Sequence, residues 1–282
     1  KVGEEIIMTN LLVFREQLKK FYSKYELYLT PVLKFLLALM TLVMINSSIG
    51  YMGELKKTAV VFVLALMCSF LPMNFIVFAA AAVTLGHLYK FSTECALVAL
   101  VVFLLLFILY FRFASKDTIA VLLTPLCFLL KIPYVMPIAM GLVGTPFSAV
   151  SVASGTVVYY TVSYIISNAS MLGTFEDDGA LEKFRYIIDG MLGNKAMYVT
   201  LVAFVATVIV VYFIRRLSVD YAWTIAIVTG ALLDVLVMLF GDLMYNTNLS
   251  IVGLIVGSVV SAALAKILEF FVFNVDYSRT EY

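Results

Sequence analysis

The sequence predicts an all-α fold, a polytopic bundle of about ten transmembrane helices. Of the 282 residues, 63% are hydrophobic and 13% are charged, whereas ordinary soluble domains have roughly 45–50% apolar and about 25% charged residues. The mean hydropathy is +1.06, and apolar runs that approach the ~20 residues needed to cross a bilayer core recur along the chain. The predicted environment is therefore a lipid bilayer. The net charge of +1 gives no indication of nucleic-acid binding.

Residues 1–30 are predicted to form a cytoplasmic amphipathic segment ahead of the first span. Apolar residues recur there at spacings of three and four, at Ile7, Leu11, Phe14, Leu18, Phe21 and Tyr25. Basic side chains occupy the other face, at Arg15, Lys19, Lys20 and Lys24. This pattern is typical of a helix that lies in the headgroup region of a bilayer. A helix that binds a protein partner is the alternative.

Ten candidate spans follow, near residues 31–50, 58–71, 73–90, 94–113, 117–131, 133–151, 152–169, 197–214, 220–240 and 250–273. The second and fifth are shorter than the ~20 residues that cross a typical core, so we expect them to be tilted or incomplete. The chain then divides into a transmembrane region 31–170, an external amphipathic loop 171–196, a three-helix transmembrane region 197–273 and the start of a cytoplasmic tail, 274–282.

Two triplets of spans, 58–113 and 117–169, are candidates for an inverted repeat. Both begin with a short apolar segment that contains a Cys and reaches a Pro, and both continue into small residues and a Thr. In transporters built from inverted repeats the binding site lies at the interface between the repeats. Shared membrane composition is the alternative explanation of the match.

The stretch 133–170 is predicted to be the buried centre of the protein. It has no charged residue, yet it is crowded with Gly, Pro, Ser and Thr. Such residues are tolerated in a bilayer where neighbouring helices or a water-lined cavity satisfy the freed backbone groups. We expect two short helices to meet near Gly144, Thr145 and Pro146.

Polar residues inside the spans are the candidates for a substrate or ion pathway. At ~1.5 Å of rise per residue, Asp234, His87 and Asn46 each lie roughly 21–22 Å from the cytoplasmic end of their spans. An Asp–His pair at one depth would suit a proton or cation site. Thr145 and Ser148, in the central stretch, complete the predicted pathway. The alternative is that His87 lies close enough to the interface to reach water.

Small residues predict helix contacts in two places. Gly141 and Gly144 lie in the central stretch, and Gly253 and Gly257 begin a small-xxx-small row in the last span. Such rows let helices approach closely, within one chain or between subunits of a complex or homo-oligomer. In the same span, Lys266 and the carboxylate three residues later are placed to pair locally.

Enzyme and metal chemistry are not predicted. A single His excludes an HExxH zinc site, and neither GxSxG nor a Walker loop occurs. The three cysteines, Cys68, Cys95 and Cys127, show no metal-ligand spacing and are predicted to be small buried hydrophobes. We therefore expect no catalytic residue, cofactor or metal.

Positive charges predict the orientation. The basic N-terminal segment places the N terminus in the cytoplasm, and ten crossings return the C terminus to the same side. Arg112, Arg215 and Arg216 then lie on the cytoplasmic side, and the acidic segment 175–195 lies outside.

Three stretches resemble an uncharacterised multi-pass membrane protein family of low-GC Gram-positive bacteria. They are KIPYVMPIAMGLVGTPFSAVSV (131–152), YFIRRLSVDYAWTIAI (212–227) and FFVFNVDYSRTEY (270–282). Members are sometimes labelled ABC transporter permeases. The resemblance implies the bacterial plasma membrane and an acidic, Tyr-rich tail beyond Tyr282, but no catalytic or binding residue.

Two functions are compatible with the sequence, a permease-like transport protein and a non-transporting scaffold or anchor of a cell-envelope complex.

Overall fold

The computed structural model describes residues 2–174, 180–247 and 250–272, with side chains from residue 13 onward. This part of the chain is 84% helix and contains no strand, so the predicted all-α fold is confirmed. The helices are α1 Val2–Ser48, α2 Thr58–Phe70, α3 Asn74–Phe91, α4 Thr93–Phe113, α5 Thr118–Leu129, α6 Val135–Val143, α7 Ser148–Ser167, α8 Ala169–Leu172, α9 Ala180–Leu192, α10 Lys195–Arg215, α11 Ala222–Tyr245 and α12 Ile251–Val272.

Seven of these helices, α1, α3, α4, α7, α10, α11 and α12, are long and apolar enough to cross a membrane. By length and composition, the chain is a multi-pass helical membrane protein. The other three predicted spans correspond to α2, α5 and α6, which have 13, 12 and 9 residues. At ~1.5 Å per residue these helices are roughly 20, 18 and 14 Å long, shorter than a ~30 Å core. The predicted inverted repeat would pair the 18 residues of α3 with the 9 of α6, and it stays a prediction.

Helices α5 and α6 form a hairpin that enters and leaves at the same end of the bundle. At its start, Tyr110 of α4 hydrogen-bonds Thr118 of α5 over 2.9 Å. At its end, Phe147 stacks on Phe113, the last residue of α4. The turn between the two helices contains Lys131 in the left-handed region (φ 62°), and Tyr134 beyond it packs against Phe204 in the middle of α10.

The break between α6 and α7 lies at residues 144–147, where the two central helices were predicted to meet. The predicted boundary between the sixth and seventh spans, at residues 151 and 152, is wrong because α7 runs through it without interruption. Pro146 lies in the break, and a proline fits poorly in a helix interior because it lacks the N–H of the helical hydrogen bond. Ser148, the first residue of α7, accepts a hydrogen bond from the Thr145 N–H over 2.9 Å.

Helix α1 combines the predicted amphipathic segment and the first span. Its helical geometry is interrupted at Tyr25 (φ −113°, ψ 18°). The Pro31 carbonyl accepts a hydrogen bond from Ser69, near the end of α2, and Arg15 donates to the Phe270 carbonyl, near the end of α12. Over the 16 residues from Arg15 to Pro31, ~1.5 Å per residue gives roughly 24 Å. This segment therefore runs between the ends of α2 and α12.

The hydrophobic core has two parts. The C-terminal bundle, formed by α6, α7, α10, α11 and α12, is centred on Phe204, Val208 and Val211, which are fully buried. The N-terminal region, formed by α1 to α5, has its own buried cluster around Leu42, Cys68 and further side chains of α1, α2 and α3. Helix α9 covers one end, with its residue Ile187 fully buried against α4 and α7. The predicted segment 175–179 and the tail 274–282 lie outside the described residues.

Candidate functional site

His87 is fully buried in a network that fastens the loop after α1 onto α3. The backbone N–H of Met52 donates to His87 Nδ1 over 3.0 Å, which leaves the ring proton on Nε2. That Nε2–H donates to Asn46 Oδ1 over 2.5 Å, and Asn46 Nδ2 donates to the Leu55 carbonyl over 2.9 Å. Both ring nitrogens of His87 are therefore used within the chain. The loop turns at Gly50, whose φ of +56° favours glycine.

Asp234 is fully buried between α10 and α11. Its Oδ1 accepts a hydrogen bond from the Thr207 hydroxyl over 2.8 Å. Its Oδ2 has no hydrogen-bond partner among the described residues. Buried polar atoms are usually paired, so this oxygen is an exception within the C-terminal bundle.

The predicted pathway residues do not form one site. His87 and Asn46 contact each other, but Asp234 is bonded to Thr207 in a different network. Thr145 and Ser148 lie at the α6–α7 break. Equal depth along separate helices does not determine which helices are neighbours or which faces meet, and this explains the difference from the predicted Asp–His pair.

The four predicted packing glycines differ in their surroundings. A Cβ added to Gly141 would lie 2.6 Å from Val211 Cβ of α10, and one on Gly257 would lie 3.0 Å from the Tyr134 ring. These two glycines are at close contacts between helices. A Cβ on Gly144 would meet Ser148 and the Met140 carbonyl of its own segment, whereas Gly253 would meet only Ser250 in its own turn.

A cavity of about 350 Å³ separates α1 and α3 from α5 and α7, with α4 along one side. Its volume falls within the roughly 300–1,000 Å³ of small-molecule sites. The lining along α7 extends from Ser154 to Ser167, and 13 residues at ~1.5 Å each make this roughly 20 Å. Leu129 and Ser167 are the exposed lining residues and mark the mouth. None of the lining residues is charged.

Half of the eight hydroxyl groups in the cavity wall are already bonded to carbonyls of their own helices. Thr41, Thr84 and Ser154 each donate to the carbonyl four residues earlier, over 2.7–2.8 Å. Ser163 and Tyr159 have no hydrogen-bond partner among the described residues and offer free hydroxyls near the mouth. The cavity can thus surround an apolar chain and offer a few hydrogen bonds at one end.

The structure places two basic residues, Lys131 and Arg215, at contacts between helices that the sequence did not predict. Lys131 is exposed in the turn of the α5–α6 hairpin, and its carbonyl lies 3.9 Å from a Cβ built on Gly257, within α12. Arg215 donates to the Gly144 carbonyl over 2.7 Å and so holds the α6–α7 break against α10. The signal for Arg215 in the sequence was an arginine pair between aromatic residues at the end of a span.

The predicted local pair in α12 is confirmed, because Lys266 Nζ lies 2.8 Å from Glu269 Oε2. In the described ranges, no group of three or more His, Cys, Asp or Glu side chains is placed to hold a metal ion. Cys68, Cys95 and Cys127 are buried and free.

Comparison of the chain with known protein families, with curated proteins and with solved structures gives no match. The resemblance to the Gram-positive membrane family therefore stays a prediction.

Proposed function

We propose that the chain is a permease-like membrane transport protein whose substrate carries a long apolar chain. The observation that supports this is the cavity between α1, α3, α4, α5 and α7. Ligand sites are typically apolar concavities with a few placed polar groups. The roughly 20 Å length exceeds the ~15 Å depth of one leaflet, half of a ~30 Å core.

The chemistry of the wall argues against a small ion or a sugar as the substrate. A desolvated charge needs a partner charge or several hydrogen bonds, and an uncompensated polar group costs several kcal/mol in an apolar site. No charged residue lines the cavity, and the hydroxyl groups of Thr41, Thr84 and Ser154 already donate hydrogen bonds to backbone carbonyls. An acyl or isoprenoid chain requires neither.

The predicted repeat agrees with this location. Helices α3 and α4 belong to the triplet 58–113, and α5 and α7 belong to the triplet 117–169, and all four line the cavity. A site between inverted repeats is a common arrangement in transporters. On the resemblance to the Gram-positive family, we place the protein in the bacterial plasma membrane. The distribution of Lys and Arg places both termini in the cytoplasm, and the lack of enzyme motifs in the sequence favours a protein without enzymatic activity.

A membrane scaffold or anchor in a cell-envelope complex is the second candidate, and one observation favours it. Within α1, residues 13–28 expose apolar side chains along most of their length, including Phe14, Phe21 and Tyr28. Together with the basic residues of the same segment, this surface could bind a partner at the membrane surface.

The first experiment tests whether the cavity binds an apolar chain. The purified protein is labelled with a photoactivatable palmitate, and the labelled residues are located by mass spectrometry. We expect saturable labelling of Val158 and Val162, which line the cavity, with competition by unlabelled palmitate.

Neighbouring alanines of α3 provide the matched variants. Ala81 lines the cavity and Ala82 is exposed on the outer face of the same helix. Ala81→Phe should remove most of the labelling because the ring enters the cavity, and Ala82→Phe should leave it unchanged. Equal, non-saturable labelling in both variants would show only general contact with lipid and would refute the proposed site.

A second experiment separates transport from anchoring. Proteoliposomes carry a fluorescent single-chain lipid, and dithionite added outside destroys the fluorescence of lipid in the outer leaflet. The rate at which the remaining fluorescence is lost measures how fast the lipid moves between leaflets. We expect faster movement with the wild-type protein than in protein-free vesicles, and a loss of this gain in Ala81→Phe. Retained palmitate labelling without any gain in movement would favour the scaffold.

A further inference from the structure

Two arginines at the end of α10 share one aromatic ring. The guanidinium carbon of Arg215 lies 5.1 Å from the centre of the Tyr212 ring, and that of Arg216 lies 5.3 Å from the same centre. Arg216 also donates to the Tyr212 hydroxyl over 2.5 Å. The guanidinium carbon of Arg215 also lies 5.9 Å from the ring of Trp223 at the start of α11. The rings hold both guanidinium groups in defined places.

No carboxylate neutralises this pair within the described residues. Asp220, the nearest acidic residue in the sequence, forms no ion pair with either arginine. The Nε–H of Arg215 is buried without a hydrogen-bond partner, and one of its NH₂ groups is bonded to the Gly144 carbonyl. Because a guanidinium carries five N–H donors, most of the donors of the pair remain available.

The basic residue of α12, a helix that packs on α11, is arranged differently. Lys266 of α12 donates to Thr224, the residue after Trp223, over 2.5 Å and to Glu269 over 2.8 Å. Its charge is therefore neutralised within the chain, although it lies at the same end of the bundle. Unlike Lys266, the arginine pair has no carboxylate counter-ion among the described residues.

We infer that Arg215 and Arg216, together with the Tyr212 and Trp223 rings, form a binding site for a phosphate-bearing anion at the membrane surface. Planar guanidinium groups bind phosphate oxygens in pairs, and a Trp beside them is typical of the headgroup level of a bilayer. Anionic phospholipid headgroups and free phosphate share this chemistry. The site lies outside the cavity lining and does not depend on the proposed transport function.

Trp223 provides the measurement because it is the single tryptophan of the chain. The purified full chain in neutral detergent is titrated with phosphatidylglycerol, with phosphatidylcholine and with inorganic phosphate, and Trp223 fluorescence is recorded. We expect a saturable change with phosphatidylglycerol and none with phosphatidylcholine. A change with inorganic phosphate as well would support the same site with free phosphate as a ligand.

Two exposed arginines give a matched comparison. Arg216→Gln removes one charge of the pair without touching the Gly144 contact, and we expect about fivefold weaker binding of phosphatidylglycerol. Arg112→Gln removes a charge from the last turn of α4 at the same end of the bundle and should leave binding unchanged. Thermal unfolding checks that both variants are folded.

Three results would overturn the inference. They are no response to phosphatidylglycerol, an equal response to phosphatidylcholine, and equal weakening by Arg112→Gln and Arg216→Gln. Arg215→Lys is a second test of the pair, because it keeps the charge but loses the planar fork. Binding unaffected by both Arg215→Lys and Arg216→Gln would equally exclude the site.

Discussion

The centre of the C-terminal bundle is packed more closely than the N-terminal region. In the bundle, α7 and α10 each bury 44% of their spans and α11 buries 39%, whereas α3 and α4 each bury 33% and α1 buries 17%. Glycines bring the helices of the bundle together, as at Gly141 and Gly230, where an added Cβ would collide with Val211. In the N-terminal region the Phe78, Phe107 and Phe111 rings pack between α3 and α4.

The difference shows how one composition can produce both a close-packed bundle and a cavity. Small residues let helix backbones approach until no space remains between them. Phe107, whose ring packs against Phe78 and Phe111, lines the cavity. The cavity therefore lies at the boundary of the two regions, where α1, α3 and α4 face α5 and α7.

The largest expected effect comes from enlarging a glycine in the bundle. Gly141→Leu should lower the free energy of unfolding by about 3 kcal/mol or prevent folding, because the added atoms overlap Val211. Thermal unfolding in detergent measures the change. Gly253→Leu is the matched control and should be nearly neutral, since only Ser250 lies near its Cβ. Similar losses in both would mean that backbone propensity, and not close packing, sets the effect.

The next effect concerns the polar network of the N-terminal region. His87→Ala should cost about 2 kcal/mol of stability, because it leaves Asn46 Oδ1 and the Met52 N–H without partners. Hydrogen exchange at Met52 should rise with it. Tyr89→Ala on the exposed face of α3 should leave both stability and exchange unchanged. A silent His87→Ala would show that the loop is held by other contacts.

A smaller effect is expected at the corresponding polar pair of the bundle. Thr207→Val should cost about 1 kcal/mol, since polar pairs within membranes contribute modestly. Thr207→Ser, which keeps the hydroxyl donor to Asp234, should recover most of that loss.

Combining variants tests whether the two regions are independent. Asp234→Asn and His87→Ala should have additive effects on stability within about 0.5 kcal/mol, because the two side chains share no partner. Strong non-additivity would restore the coupled Asp–His site that the sequence predicted.

The smallest effect on stability is expected for a larger side chain introduced at the cavity wall. Ala81→Phe should change the free energy of unfolding by less than about 1 kcal/mol, because the ring enters the cavity. Ala203→Phe in the fully buried part of α10 should cost about 1–3 kcal/mol by overpacking. Equal costs would show that the cavity walls do not leave usable space.

The positions of the helices were largely predictable from the sequence, because long apolar runs interrupted by Gly, Pro and charges set where helices begin and end. The break near Gly144 followed from Pro146 and its small neighbours. The predicted boundary at residues 151 and 152 is wrong because α7 continues through it, and the Ser and Gly residues there are compatible with a packed helix interior.

The sites were less predictable, because a sequence gives depth along a helix but not its direction around the axis. Asp234 and His87 share a depth but belong to different networks. The cavity depends on how far apart whole helices are held, and no single residue indicates that distance. The counter-ion of Lys266 was predictable because Glu269 follows three residues later on the same helix. The contact of Arg215 with Gly144 was not predictable, because these residues are 71 positions apart and lie on different helical segments.

The contact between Arg15 and Phe270 has a consequence for biosynthesis. The two residues are 255 positions apart, and at ~5–20 residues per second the ribosome needs roughly 13–50 s to pass from one to the other. During that interval the first helix is complete, but its anchoring partner does not yet exist. The basic segment must therefore wait on the membrane surface while every later span is inserted, and its docking onto α12 is among the last events of assembly. A ribosome stalled before Phe270 should leave Arg15 accessible to modification, and release of the finished chain should protect it.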